Sequence, residues 1–232
     1  METIQAAIRG PVNQKVNLTV ASPPDYLTRQ VSIQREEFRL PSITWNLAPD
    51  QPHLGVLVIN IIAASSPTEL QTAIKDLQKR GATHFVLDLR DNPGGLLNSG
   101  VEIARLFLKD GIIIEQQNRD QDLETYRVEQ AGPFINIPLA VLVNHNSASA
   151  AEIIAGSLQS HRRAIIIGTP TFGKNTIQLV FDLKEGASLH VTAAQWSIPG
   201  LPNFSSGVGL QPDILLDTSD RNTIPDLALQ AA

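Results

Sequence analysis

Two short stretches carry side chains whose types and spacing could do acyl-transfer chemistry. Asn144-His145-Asn146-Ser147-Ala148-Ser149-Ala150-Ala151-Glu152 follows the apolar run Leu139 to Val143 and leads into a helix-like run, Ala150 to Gln159. Thr171-Phe172-Gly173-Lys174, whose lysine lies 25 residues after Ser149, is a turn between two further apolar segments. A serine at the mouth of a sheet and the tip of a helix sits where free backbone N–H groups and the helix dipole favour negative charge. That setting assists an alkoxide and the oxyanion it forms on attacking a carbonyl. A serine nucleophile needs a base, and a lysine serves if its ammonium is destabilised.

Each of these residues also has a plainer reading. Ser149-Ala150-Ala151-Glu152 fits a capping box, which only closes a helix end. Ser147 competes with Ser149 as nucleophile but lies farther from the helix start. A lysine in a glycine turn is ordinarily solvated. As a general base it must shed its proton near neutral pH, a fall from ~10.4 to roughly 7–8 that burial produces. Its flanks, Phe172, Gly173 and Ile177, are apolar or small and consistent with burial. Gln178, near the start of the next strand, could hydrogen-bond the amine or be an ordinary polar strand residue. Asn92-Pro93-Gly94-Gly95 follows a strand directly and reads first as a turn that needs glycine dihedrals. Without side chains, the N–H of Gly94 or Gly95 could approach a substrate carbonyl and, with that of Ala150, form an oxyanion hole.

Other chemistries find less support. The five histidines allow a Ser-His-Asp triad in principle. His145 is too close to Ser149 in sequence to fold back as its base, and His53, His84, His161 and His190 sit in no motif. Gly-x-Ser-x-Gly is absent, and no His-Glu-x-x-His or paired-carboxylate motif suggests a metal. Asp88 and Arg90, near a strand end, read as a structural ion pair. The net charge of -5, without long runs of either sign, makes nucleic acid an unfavoured partner. With no cysteine there are no disulfides or thiolate metal sites. No apolar run approaches the ~20 residues of a membrane span. The first residues lack the basic start and apolar core of a signal peptide.

The elements that must position these residues alternate. Gly55 to Ile62 reads as a strand. Ser66-Pro67-Thr68-Glu69 reads as a capping box opening a helix with Leu70, Ala73, Ile74 and Leu77 on one face, stopped at Gly81. Phe85 to Leu89 is a second strand. A helix with Val101, Ala104 and Leu108 follows the Asn92–Gly95 turn and ends at Gly111. Ile112 to Ile114, Leu139 to Val143 and Ala164 to Ile167 are short apolar strands. Ile177 to Leu183 and Leu189 to Trp196 form a hairpin around Lys184-Glu185-Gly186. The alternation implies an α/β core with parallel pairing and a β-rich end. Residues 1–35 read differently: a short helix from Thr3 to Arg9, a strand from Lys15 to Val20 with Val16, Leu18 and Val20 on one face, and renewed alternation from Gln30 to Arg35.

Taken together, four ordered segments resemble the carboxyl-terminal processing peptidases, or tail-specific proteases. Phe85 to Leu96 (FVLDLRDNPGGL) is similar to the family's LDLRNNPGG segment, and Ser147 to Ile153 (SASAAEI) to its SASASEI. Gly168 to Gln178 (GTPTFGKNTIQ) is similar to GEPTFGKGxVQ, and Gly207 to Asp213 (GVGLQPD) to GxGIxPD. The resemblance implies Ser149 as nucleophile, Lys174 as base and Gln178 as the residue that positions it. It also implies a Clp-protease/crotonase-like α/β core with mixed sheets and an extracytoplasmic bacterial or plastid enzyme, periplasmic or lumenal. Such an enzyme needs no cofactor and acts on protein or peptide substrates; peripheral membrane association and homo-oligomers are compatible with it. Within the motifs, Ala151, Thr169 and Asn175 depart from the family's serine, glutamate and glycine, and Ser160 stands where many members have aspartate.

The expected organisation is a C-terminal remnant of a PDZ-like domain with its linker at 1–35, a peptidase core at 36–216 and a tail at 217–232. The upstream part of the PDZ domain, with its carboxylate-binding loop, is expected to be missing. The expected function is a serine endopeptidase working through a Ser/Lys dyad and an acyl-enzyme. Its alternatives are a non-catalytic peptide-binding homologue on the same fold and an acyl-thioester enzyme of the same superfold.

Overall fold

The computed structural model describes residues 8, 10–21, 23–24, 26–36, 41–118, 122–184, 187–201 and 204–216. The chain divides into two compact units, residues 1–41 and 42–232. In the first, β1 (Lys15–Ala21) and β2 (Thr28–Gln34) pair antiparallel, with Lys15 opposite Gln34. The predicted period of two holds along β1: Val16, Leu18 and Val20 are half-buried and their neighbours are exposed. The Arg35 Nε donates to the Ile8 carbonyl at 2.8 Å. The helix expected over Thr3–Arg9 lies almost wholly outside the described residues, as does the tail at 217–232.

The second unit is built on a six-stranded sheet of order β12-β9-β8-β5-β4-β3. Its strands are β3 (Ile43–Ala48), β4 (Gln51–Ile59), β5 (His84–Asp88), β8 (Leu139–Val143), β9 (Ile165–Gly168) and β12 (Ile214–Leu215). All pair parallel except β3, which returns antiparallel against β4. Helices α1 (Ser66–Lys79), α2 (Leu97–Arg105) and α3 (Ala150–Ser160) pack on one face. Strand residues Leu57, Ile59, Phe85, Leu87, Val141, Val143 and Ile166 join these helices in the main core. Alternate residues Leu54, Val86, Ala140, Leu142 and Ile167 form a smaller cluster on the other face. Burial on both faces is why these strands read as continuous apolar runs.

A second, antiparallel sheet of order β10-β11-β6-β7 contains β6 (Ile112–Asn118), β7 (Glu124–Arg127), β10 (Thr176–Asp182) and β11 (Ser188–Ser197). The predicted hairpin is present as β10 and β11, Thr176 facing Gln195. Its outer part exposes Leu179, Val180 and Phe181 about equally, so neither face of that part is covered by the core.

Local readings were displaced in two places. The capping box expected at Ser66 does not form: Ser65 is the N-cap, and the Glu69 carboxylate accepts from the Ser42 N–H and hydroxyl and the Ile43 N–H. Three donors at the entry to β3 satisfy that carboxylate better than the one N–H of a helix start. Strands β3, β7 and β12 were not anticipated, being short or interrupted by polar residues.

Because β5, β8 and β9 are parallel neighbours, the loops that leave their carboxyl ends emerge at one edge of the sheet. Those loops carry Asn92–Gly95, Ser147–Ser149 and Thr171–Lys174.

Candidate active site

Strand β8 ends at Val143, and the chain needs six residues to reach α3. Ser147 closes that loop. It is fully buried, its Oγ donates to the Leu89 carbonyl at 2.8 Å, and the same Oγ accepts from the Asn144 N–H at 2.9 Å. With its hydroxyl engaged in both directions, Ser147 clasps the β8 loop to the β5 loop. Ser149 is different. It is half-buried, and its backbone lies at φ 56°, ψ -118°, a region that costs a non-glycine residue roughly 1–3 kcal/mol. Such a turn from strand to helix presents a hydroxyl outward, as nucleophile turns do.

That strained backbone is held by Glu152. The carboxylate is completely buried within the first turn of α3. Its Oε2 accepts the Ser149 N–H at 2.8 Å and the Lys174 N–H at 2.9 Å. Its Oε1 accepts the Gly173 N–H at 2.7 Å and the Thr171 hydroxyl. One oxygen atom therefore joins the backbones of Ser149 and Lys174. The sequence suggested only a capping acid here. The available signal was a single acid in the run Ala150 to Leu158, where every other residue is apolar or small.

Asn92 holds the opposite wall. Fully buried, it donates from Nδ2 to the Ile59 carbonyl at 2.6 Å, and its own carbonyl accepts the Ala148 N–H at 3.0 Å. Its Oδ1 accepts the Gly94 N–H at 2.8 Å. Gly94 thus has its N–H engaged, while that of Gly95 makes no hydrogen bond among the described residues. Gly94 has φ +97°, and a Cβ there would lie 2.7 Å from the Ala148 carbonyl oxygen, 2.8 Å from Ser149 Cβ and 3.0 Å from the Ala150 nitrogen. The glycine loop and the serine loop are in backbone contact. The Ala150 N–H, first in its helix, has no intrahelical acceptor.

On the lysine side, the closing segment props the turn. The Leu210 N–H donates to Thr171 Oγ1 at 2.7 Å, the Thr171 N–H to the Leu210 carbonyl at 3.1 Å, and the Gly207 N–H to the Gly173 carbonyl at 2.8 Å. Asp213 of the same segment accepts from Gln159 Nε2 and the Ile166 N–H, both at 2.8 Å. Lys174 itself is half-buried, and its ammonium makes no hydrogen bond or ion pair among the described residues. It faces an open cleft of about 480 Å³ lined also by Asp91, Pro93, Asn146, Ala148 and Phe172. Phe172 is about half exposed, so it does not bury the lysine as its apolar character suggested. Gln178 lies exposed on β10 at a register shift in the hairpin, without a bond to the amine. The serine, the lysine and the glycine loop are brought to one edge, and the final contact between hydroxyl and amine is not made.

The remaining candidates have structural partners. Arg90 makes a bidentate pair with Asp88, whose hydrogen bonds push the guanidinium further up. The His145 ring lies 6.0 Å from that of Phe172, His161 bonds the Ile112 carbonyl and His53 the Gly81 carbonyl. Among the described residues no histidine bonds Ser149.

This arrangement agrees with what the chain is similar to. The family model of peptidase family S41 matches residues 53–216. The chain belongs to peptidase family S41. A carboxyl-terminal-processing protease from Picosynechococcus sp. is 40% identical over 214 residues, covering 92% of this chain and 51% of that protein. A carboxyl-terminal-processing protease from Synechocystis sp. is 34% identical over 219 residues, covering 94% and 51%. The solved photosystem II D1 C-terminal processing protease has a TM-score of 0.67 at 28% identity, covering 94% of this chain and 61% of that one. The chain spans about half the length of the curated relatives it matches. The match takes in all four motif segments, so the S41 region holds the glycine loop, the serine loop, the lysine turn and the closing segment together.

Proposed function

We propose that this S41 chain carries the catalytic site of an ATP-independent serine endopeptidase that cleaves polypeptides near their C-termini. The observation that supports it best is the Glu152 oxygen shared by the Ser149 and Lys174 N–H groups, which ties nucleophile and base segments to one buried atom. In this reading the neutral Lys174 amine takes the Ser149 hydroxyl proton as Oγ attacks a peptide carbonyl. The oxyanion is held by the N–H groups of Ala150 and Gly95; Gly94, already bonded to Asn92, supports the loop. The Lys174 ammonium then protonates the leaving amine, and the Ser149 ester is hydrolysed by water. Gln178 orients the amine once peptide fills the cleft. The two-stranded unit at residues 15–34 is read as part of a PDZ-like domain, and the site of action as extracytoplasmic, in a periplasm or thylakoid lumen.

A peptide-binding role without catalysis is the second reading, favoured by the unbonded ammonium in an open cleft. Incubating the full chain with casein, an unstructured substrate, separates them. Wild type is expected to generate fragments that Ser149→Ala and Lys174→Ala do not, with losses of at least ~10⁴-fold for the serine variant. Equal cleavage by wild type and Ser149→Ala would overturn the assignment.

A further inference from the structure

The cleft that holds Lys174 carries a second charge that the dyad does not use. Asp91 lies in the loop after β5 and lines the cleft with Lys174. Its backbone is left-handed, at φ 59°. Its N–H donates to Asn144 Oδ1 at 2.9 Å, and its Oδ1 accepts from Asn144 Nδ2 at 2.9 Å and Asn146 Nδ2 at 2.8 Å. These three bonds tie it to the serine loop and leave Oδ2 directed to no partner among the described residues. The one cation next to it in sequence, Arg90, is taken bidentately by Asp88. The two amide donors also keep the Asp91 carboxyl below its ordinary value, so it is anionic at neutral pH.

An exposed aspartate is ordinarily a solvated side chain. This one is fixed on two sides, has no counter-ion within 4 Å among the described residues, and shares an open groove with the catalytic segments. We infer that Asp91 is a specificity determinant of the cleft, selecting polypeptides that place a lysine or arginine near the bond aligned on Ser149. The inference rests on the cleft being the peptide site proposed above. Lys174 also lines the cleft, but as the neutral base of the proposed reaction it carries no charge when the bond is attacked, so Asp91 is the charge that sorts substrates there. A fixed carboxylate in such a partly exposed setting discriminates by about tenfold between a cation and an anion, from Coulomb attraction at an effective dielectric well above that of a dry interior.

Binding tests this apart from catalysis. Three 12-residue peptides differing only in a central Arg-Leu-Arg, Gln-Leu-Gln or Glu-Leu-Glu are titrated into Ser149→Ala and Ser149→Ala/Asp91→Asn by fluorescence anisotropy. Asparagine tolerates the left-handed backbone and keeps an oxygen for both amide donors. The expected result is an Arg-to-Glu affinity ratio that falls about tenfold when Asp91 becomes asparagine, the Gln peptide serving as the neutral reference. An unchanged ratio, or no binding of any peptide, overturns the inference. Casein cleavage by wild type with an unchanged ratio would remove Asp91 as selector and leave the peptidase reading standing. A ratio that responds to Asp91→Asn in a protein that cleaves nothing would do the reverse.

Discussion

The two halves of the candidate site are built to different standards. The serine half is over-determined. Ser149 is bent into a left-handed turn, tied to a fully buried carboxylate, backed by the buried Ser147 clasp and pressed against Gly94. The lysine half is fixed only in its backbone. Glu152 and the Gly207–Leu210 segment hold the turn, while the side chain ends half-buried in an open groove and the hairpin beyond it exposes apolar residues. The difference teaches where pre-organisation is stored. A nucleophile and its oxyanion donors work only when held within fractions of an ångström, so they grow from the sheet edge and helix tip. In the proposed reaction the lysine also needs a water-poor setting, which bound peptide would complete.

The strongest test of this contrast is the atom the halves share. Glu152→Ala would leave three N–H groups, that of Gly173 buried, and a buried threonine hydroxyl without an acceptor, an expected loss of about 4 kcal/mol or more, together with all cleavage. Glu152→Gln keeps one acceptor oxygen. It is expected to retain the fold with a lower thermal midpoint and to lose ~10–100-fold in kcat. Thermal denaturation beside casein kinetics reads both; a fully active, fully stable Glu152→Ala would mean the shared carboxylate joins nothing.

Next in size is the serine half alone. Gly94→Ala combines a positive φ with a Cβ 2.7 Å from the Ala148 carbonyl oxygen, so the serine loop must shift. The expected cost is about 2 kcal/mol or more, with a fall in kcat that exceeds any change in KM. The lysine half should respond in the opposite way. Gln178→Ala removes an exposed side chain and is expected to change stability by less than about 0.5 kcal/mol. It should still lower kcat by about tenfold and move the ascending limb of the pH–rate profile to higher pH, because the neutral amine of the proposed base loses the amide N–H that donates to it in the bound state. An unmoved profile would separate Gln178 from the base.

The smallest effect concerns the rim of the cleft. Amide hydrogen bonds lower the folded-state pKa of Asp91, so its contribution to stability is present above the unfolded value of ~3.9 and lost as pH falls through the folded value. The thermal midpoints of wild type and Asp91→Asn should therefore differ slightly at pH 6 and converge below about pH 4. A constant difference from pH 3 to pH 7 would show that Asp91 is not held as an anion.

Much of this was legible before any coordinates. The runs Leu139–Val143 and Phe85–Leu89 became strands almost to the residue because continuous apolar runs of that length bury on both faces. The hairpin followed from two runs, Ile177–Leu183 and Leu189–Trp196, flanking Lys184-Glu185-Gly186. What misled was local logic with a distant competitor: Ser66–Glu69 looked like a self-contained cap, yet Glu69 bonds β3 more than twenty residues away. The same blind spot hid Glu152, whose first partner is three residues off and whose other partners are about twenty away. It also hid Asp91, whose partners lie more than fifty residues along the chain.

Amino-acid order alone determined the family motifs, with the serine and lysine proposed as the dyad, and the alternation of strands and helices, because each depends on residue type and on spacing within a few turns of chain. Only the tertiary structure decided that the three loops leave neighbouring parallel strands, that one buried carboxylate joins serine and lysine, and that Gly94 is a support with its N–H already engaged. Those facts rest on contacts between segments tens of residues apart. Such contacts are set by sheet order and close packing, and one chain's sequence does not state them.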